Sequence, residues 1–271
     1  MCRSCTRPSC WIGQQAARSP RLWKVWILPR ISRLAAAILL GFFAYPVANA
    51  AEISPNTMLS QEQAKPWRGV GRVNVAGINR RGLCSGALIE PDLVLTAAHC
   101  VVNARTGQQF PVSEIHFVAG WYKGKKTGHR RAKALATHPN YLANKRTSVS
   151  DLGADIALIR LESAMQPAEA VPFPVVQPPL PGEGLTLVNY RRDRPHALTY
   201  QPDCPYNSIT GSVLTINCAV VKEASGSPVF RAGDEAPHIV AVIVAKASGG
   251  PIRAFAVRAD QSVPLLKAML P

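Results

Sequence analysis

The sequence predicts an exported protein built mainly of β-strands. Charged residues make up only 17% of its 271 residues, whereas prolines number 23 and glycines 19. Apolar residues occur in short runs separated by turn-forming residues, and long amphipathic stretches are rare. These features are typical of all-β proteins, in which short strands alternate with tight turns. With 47% hydrophobic residues, the chain is long enough to bury a substantial core in one or two domains.

The first 50 residues have the features of a secretory signal peptide with a long basic region. They carry seven Lys or Arg and no acidic residue, and residues 34–47 form an apolar run. An Ala-x-Ala pattern at 48–50 is a typical cleavage signal. The run is short for a membrane-spanning helix, which needs about 20 residues. We therefore predict cleavage after Ala50 and a secreted or periplasmic protein, with an uncleaved signal anchor as the alternative.

Basic residues are also concentrated at 122–133, where six Lys and Arg occur. This cluster is typical either of a solvated hairpin or of a patch that binds an anionic surface. We favour the hairpin, because no aromatic side chains alternate with the charges to stack on bases. Nucleic acid is accordingly not an expected partner. An adhesive or envelope-binding protein that acts through this hairpin is a further alternative.

Four cysteines follow the leader: Cys84, Cys100, Cys204 and Cys218. An even number in an exported protein indicates disulfides, and four cysteines allow three pairings. We favour the two local pairs, Cys84 with Cys100 and Cys204 with Cys218. Each closes a loop of about 15 residues, which the chain-entropy model values at roughly 3 kcal/mol.

Residues 83–100, LCSGALIEPDLVLTAAHC, predict a strand, a turn, a second strand and a short helical turn around His99. Glu90-Pro91-Asp92 is typical turn chemistry between two apolar runs. The small residues before His99 leave room for a partner of the imidazole. A His packed in the core of a β-hairpin is the alternative. The segment resembles the catalytic-histidine segment of trypsin/chymotrypsin-like serine peptidases, in which the matching cysteine pair staples the histidine loop.

Asp155 begins the nearly continuous apolar strand DIALIRL. A charge at the mouth of a buried strand needs a partner, and an imidazolium would serve. The segment resembles the catalytic-aspartate segment of the same family. Asp151 is a weaker candidate for that role, and a structural helix cap is the alternative function for Asp155.

Residues 221–230, VKEASGSPVF, resemble the family's nucleophile segment, with Ser225 as the nucleophile. The Ser-Gly-Ser-Pro phrase is similar to the branch that includes bacterial glutamyl endopeptidases. By this resemblance, the oxyanion hole consists of the amides of Glu223 and Ser225. The family's usual Gly-Asp before the serine is Glu223-Ala224 here. Without the Asp, activation by an ion pair to a new N-terminus is not expected. A Glu in place of Gly must find a compatible φ and puts a carboxylate near the developing oxyanion.

The resemblance also implies an architecture of two packed, six-stranded antiparallel β-barrels with a cleft between them. We expect a polar arm or short propeptide at 51–66, and a first barrel with His99 and Asp155 at 67–171. A Pro-rich linker at 172–181 leads to a second barrel with Ser225 at 182–258. A short C-terminal helix at 259–271 ends the chain.

The implied function is a monomeric, exported serine endopeptidase that cleaves polypeptides through an acyl-enzyme intermediate. The principal alternative is a pseudopeptidase that only binds, because Glu223 replaces the glycine of the oxyanion hole. No cluster of His, Asp or Glu has the spacing of metal ligands, so we predict no metal and no other cofactor. No membrane association is expected after cleavage of the signal.

Overall fold

The structure is a computed structural model. It describes residues 56–77, 80–144, 148–221, 224–247 and 254–271. These residues all belong to one unit, Ala50–Pro271. The predicted leader and Glu223 lie outside the described residues. Within the described ranges, no helix has both the length and the apolar character needed to cross a bilayer.

Thirteen strands and two α-helices make up the described chain. In order, they are β1 (Thr57–Met58), β2 (Val70–Gly77), β3 (Arg80–Glu90), β4 (Leu93–Thr96), β5 (Ile115–Ala119), β6 (Gly128–Thr137), α1 (Val149–Leu152), β7 (Ala157–Leu161), β8 (Gly184–Arg191), β9 (Arg194–Thr210), β10 (Val213–Ile216), β11 (Pro228–Arg231), β12 (Ile239–Lys246), β13 (Ala254–Arg258) and α2 (Ala259–Ala268).

The first barrel closes in the order β2-β3-β4-β7-β6-β5, with every neighbouring pair antiparallel. In β2, buried residues alternate with partly exposed ones along most of the strand, whereas all four residues of β4 are buried. Such alternation places one face of each strand in the barrel core. Phe117 and Leu88 are among the large side chains that fill this core.

The second barrel closes in the order β8-β9-β10-β13-β12-β11, because β11 and β9 both pair with β8. The short strand β1 adds to the outer edge of β9. The predicted all-β fold, with two six-stranded antiparallel barrels and a short C-terminal helix, is confirmed. Residues 172–183 connect the barrels and contain no strand or helix, apart from a single bridge between Val175 and Ile239.

The described part of the N-terminal segment, from β1 to Trp67, packs against the second barrel. Leu59 is fully buried and its N–H donates to the carbonyl of Leu198 at 2.8 Å. Trp67 packs edge-on against Phe230, with ring centroids 5.0 Å apart. Because Leu59 contributes to the core, removal of the chain up to residue 66 would expose apolar surface.

The basic cluster at 122–133 forms the hairpin between β5 and β6. Arg130 pairs with Glu169 at 2.7 Å, and Arg131 pairs with Glu162 at 3.3 Å. The three lysines at 123, 125 and 126 are exposed in the connecting loop. The hairpin therefore carries two arginines in ion pairs and three exposed lysines.

Candidate active site

His99 lies directly after β4, in a single turn of 3-10 helix, Ala98–Cys100. All of β4 is buried, so the strand that presents the imidazole is fixed by core packing. A disulfide joins Cys100 to Cys84 on β3, with their Cα atoms 6.0 Å apart. The second disulfide joins Cys204 and Cys218. Both local pairings are therefore formed, and the first one holds the backbone next to His99.

Asp155 makes two hydrogen bonds to His99. Its Oδ2 is 2.8 Å from Nδ1 of the imidazole, and its Oδ1 accepts the backbone N–H of His99 at 2.9 Å. The Asp155 carboxylate is completely buried, whereas 21% of the His99 side chain is exposed. A carboxylate buried in this way needs hydrogen-bond donors, and His99 supplies two. The imidazole consequently keeps Nε2 available on its other side.

Asp151, the weaker sequence candidate, has a structural role instead. It is the third residue of α1 and forms a capping box with Ser148. Its carboxylate accepts the N–H of Ser148, and its N–H donates to the Ser148 side chain. This reciprocal pairing satisfies two backbone donors at the start of the helix. Of the two aspartates, only Asp155 contacts His99 through a hydrogen bond that the structure describes.

Ser225 lies in the tight turn that precedes β11 and is partly exposed. Its carbonyl oxygen accepts the N–H of Ser85 on β3 at 2.9 Å. The next residue, Gly226, donates its N–H to the carbonyl of Ile243 at 2.8 Å. The turn is thus bound on one side to the first barrel and on the other side to β12 of the second.

The close approach of this turn to the first barrel requires a glycine at 226. Gly226 has φ +77°, a conformation that side chains disfavour. A Cβ atom there would lie 2.2 Å from the Ser85 carbonyl oxygen and 2.3 Å from Oγ1 of Thr96. Thr96 ends β4, three residues before His99. The turn that contains Ser225 is therefore adjacent to the end of β4, the strand that leads to His99.

Ser85 and Tyr190 support this arrangement and were not identified from the sequence. Ser85 is fully buried, and its Oγ accepts the N–H of Tyr190 on β8 at 3.1 Å. The Tyr190 hydroxyl donates to the carbonyl of Trp121 at 3.0 Å, and burial raises the pKa of this phenol. These contacts could not be predicted from the sequence, because Ser85 and Tyr190 are 105 residues apart.

Glu223 lies outside the described residues, so its N–H and side chain have no structural description. Cys84, His99 and Cys100 bring possible metal-binding atoms within 4.8 Å of one another. The two sulfurs form a disulfide, however, and thiolate is the form of cysteine that binds metals. This cluster therefore lacks the chemistry of a metal site.

Comparison with protein families gives an independent result. The family model described as Trypsin matches residues 58–221, which is more than half of the chain. The chain belongs to the trypsin family. The matched range contains His99 and Asp155, and Ser225 follows four residues after its end.

Two curated proteins share part of the sequence. Granzyme M of Homo sapiens is 30% identical over 103 residues, which cover 37% of this chain and 35% of that protein. The cercarial protease of Schistosoma mansoni is 28% identical over 125 residues, covering 42% of this chain and 45% of that protein. The chain thus matches less than half of the length of either relative.

Two solved structures match over a larger share of the chain. A thermostable serine protease, AL20, from an extremophilic microorganism has a TM-score of 0.61 at 18% identity, covering 74% of this chain and 96% of that one. A Glu endopeptidase in complex with MPD has a TM-score of 0.66 at 16% identity, covering 80% and 97%. At these identities the likeness supports the fold.

Proposed function

We propose that this member of the trypsin family is an exported serine endopeptidase with His99, Asp155 and Ser225 as its catalytic triad. The observation that carries the proposal is the pair of hydrogen bonds from His99 to the buried carboxylate of Asp155. A buried carboxylate on Nδ1 fixes the imidazole tautomer that a general base needs. The placement of Ser225 against Ser85 and Gly226 against Thr96 supports the same assignment.

The chemistry follows from the roles of these groups. Oγ of Ser225 attacks the carbonyl carbon of the scissile peptide while Nε2 of His99 takes the hydroxyl proton. The tetrahedral intermediate collapses as His99 gives that proton to the leaving amine, which leaves an ester on Ser225. Water, deprotonated by His99, then attacks the ester. His99 returns the proton to Oγ of Ser225 as the ester bond breaks and the acid is released. Asp155 holds the imidazole in place and stabilises its positively charged form.

The oxyanion hole is assigned to the backbone N–H groups of Glu223 and Ser225. Donors of this kind contribute about 3–4 kcal/mol each to the stabilisation of the transition state. Glu223 replaces the glycine that the family resemblance leads us to expect. This substitution is the feature that favours the second candidate function, a pseudopeptidase that binds polypeptides without cleaving them.

Export to the periplasm or the medium is supported by the leader and by the two disulfides. Disulfides persist in oxidising compartments and are rare in the cytosol. We further propose that the mature protein is a monomer, that it acts on polypeptide substrates, and that it requires no metal or other cofactor.

Hydrolysis of unfolded casein tests the proposal and separates it from the pseudopeptidase. We expect the purified mature protein to generate peptides and the Ser225→Ala variant to generate none. Folding of both proteins is checked by circular dichroism and by the absence of free thiols. If the folded wild-type protein cleaves nothing, the endopeptidase proposal fails for this chain. In that case, activity gained by Glu223→Gly would identify the oxyanion hole as the cause.

A further inference from the structure

Trp121 and the hairpin loop that contains it form one wall of a cavity that is not lined by His99, Asp155 or Ser225. The loop connects β5 to β6, and the opposite wall is the N-terminal segment around Arg68. The cavity has a volume of about 160 Å³ and is partly enclosed. It lies at the junction between the basic hairpin and the segment that joins β1 to β2.

The lining of this cavity is strongly cationic. Arg68, Lys125 and Lys126 all contribute to it, and no carboxylate does so among the described residues. Within that part of the chain, none of these three side chains forms an ion pair. The neighbouring arginines differ, since Arg130 and Arg131 are neutralised by Glu169 and Glu162. Uncompensated like charges around one cavity repel each other and attract an anion.

Two polar groups of the lining are left without partners. The indole Nε1 of Trp121 and the hydroxyl of Thr127 are closed to solvent and have no hydrogen-bond partner among the described residues. Gly120, with φ +57°, permits the approach of Thr127, because a Cβ there would lie 2.2 Å from the hydroxyl oxygen. A buried donor without an acceptor costs about 1–3 kcal/mol, so native proteins seldom leave one unexplained.

A second cavity that is also lined by Trp121 extends the positive surface. It has a volume of about 310 Å³, and its lining shares Trp121 and Lys126 with the first cavity. Arg72 and His129 also contribute to it. The Arg72 guanidinium lies over the Trp121 ring, 5.0 Å from its centroid. The cationic lining therefore surrounds Trp121, and Lys126 is common to both cavities.

We propose that the Trp121 cavity is a binding site for a tetrahedral oxyanion, a phosphate or sulfate group. Arg68, Lys125 and Lys126 surround the charge from both walls. Small movements of the Trp121 and Thr127 side chains, whose polar atoms are closed to solvent, would let them donate their unpaired hydrogens to it. A tetrahedral oxyanion accepts hydrogen bonds in many directions, and its bonds from charged donors are roughly twice as strong as neutral ones. The bound group would join the hairpin to the N-terminal segment. This site does not depend on the proposed peptidase activity.

Titration of the ¹⁵N-labelled protein with inorganic phosphate tests the site through the indole N–H resonances. Trp121→Phe identifies the Trp121 resonance. We expect phosphate to shift that resonance saturably, because its N–H gains an acceptor, and we expect sodium chloride of equal ionic strength to leave it in place. A Trp121 resonance that stays in place with phosphate, or moves equally with chloride, overturns the proposal.

Matched charge variants give the second criterion. Lys126→Gln should weaken phosphate binding at least about tenfold, since it removes a charged donor. Lys133→Gln removes an exposed charge from β6 outside the cavity and should change the affinity less than about twofold. Equal effects of both variants would contradict a defined site and indicate general charge attraction.

A parallel experiment distinguishes a free phosphate from a lipid headgroup. The wild-type protein and Lys126→Gln are sedimented with vesicles of phosphatidylcholine, with and without phosphatidic acid. Sedimentation that requires both phosphatidic acid and Lys126 assigns the site to a headgroup phosphate. Phosphate binding in solution without such sedimentation assigns it to a soluble phosphate. Both outcomes support the oxyanion site, and they identify its source.

Discussion

The backbone N–H of Ser85 donates a 2.9 Å hydrogen bond to the carbonyl oxygen of Ser225. Through its side chain, the same Ser85 accepts the N–H of Tyr190 at 3.1 Å. A single buried residue of β3 therefore contacts the candidate nucleophile segment and β8 of the second barrel. This residue therefore joins the turn of Ser225 to the barrel that contains His99.

Replacement of Ser85 tests how much the hydrogen bond between its side chain and the N–H of Tyr190 contributes to stability. Ser85→Ala keeps the backbone hydrogen bond to Ser225 but leaves the N–H of Tyr190 buried without its acceptor. We expect the free energy of unfolding to fall by about 1–3 kcal/mol, as measured by urea denaturation. Ser208→Ala, at an exposed position of β9, serves as the control and should stay within about 0.5 kcal/mol of wild type. Equal stability of both variants would contradict the assigned role.

Gly226→Ala tests whether the nucleophile turn must approach β3 and β4 closely. The added Cβ would collide with the Ser85 carbonyl and with Thr96, so the turn must move. We expect serine-directed labelling at Ser225 to slow by about 100-fold or more, since catalysis is sensitive to shifts of about 1 Å. Gly233 has a similar φ, +79°, with no atom within 4 Å of the added Cβ. Gly233→Ala therefore introduces a similar backbone strain without a collision. The rate of labelling at Ser225 in that variant should remain near that of the wild-type protein.

Asp155→Asn tests the assignment of the acidic residue. The buried carboxylate accepts two hydrogen bonds from His99, and an amide would favour the wrong imidazole tautomer. We expect kcat for peptide hydrolysis to fall by about 10⁴-fold. Asp151→Asn is the matched control, because it alters the cap of α1 and leaves the carboxylate of Asp155 in place. That variant should lose about 1 kcal/mol of stability or less, with kcat near wild type. A large loss of kcat in Asp151→Asn alone would reverse the assignment.

The His116–His129 pair predicts a stability change at mildly acidic pH. Their Nδ1 and Nε2 atoms are 2.9 Å apart, so one N–H is shared between the rings. Partial burial lowers the pKa of His129, and the positive charges of His116, Lys126 and Arg130 lower it further, against the opposite effect of Glu162. Protonation of both rings would break the hydrogen bond.

The direction of the effect follows from the lowered pKa. His129 in the folded protein binds its proton more weakly than in the unfolded chain, whose His pKa is about 6.5. Its contribution to stability is therefore present above that pH and is lost as the pH falls through the lower, folded pKa. We expect the temperature midpoint of unfolding to decrease as the pH is lowered from about 8 to about 5. The decrease should be smaller in His129→Gln. His196→Gln, at an exposed position, is the control and should follow wild type.

Local sequence was sufficient to predict the segments around His99, Asp155 and Ser225. Each has a short apolar strand next to one reactive side chain, and strands of this kind fold as the pattern indicates. The choice between Asp155 and Asp151 was also accessible from sequence. Ser148 precedes Asp151 by three residues, a spacing typical of a capping box.

Contacts between distant parts of the chain were not predictable. The composition of residues 51–66 is polar, yet Leu59 is buried because β1 pairs with β9, more than a hundred residues away. The same holds for Ser85, whose partner Tyr190 lies on the other barrel. The cavity at Trp121 likewise depends on how the hairpin packs against the segment around Arg68. Periodicity and turn chemistry describe single elements and do not specify these pairings.

The most direct test of the proposed triad is mass spectrometry after reaction with a fluorophosphonate. The reagent phosphonylates a serine activated by a neighbouring base, so we predict one adduct per chain on Ser225 in the folded, disulfide-bonded protein. Ser225→Ala should carry none, and His99→Ala should react far more slowly. Folded wild-type protein that forms no adduct, or forms it on another serine, would contradict the assignment of Ser225 as the nucleophile.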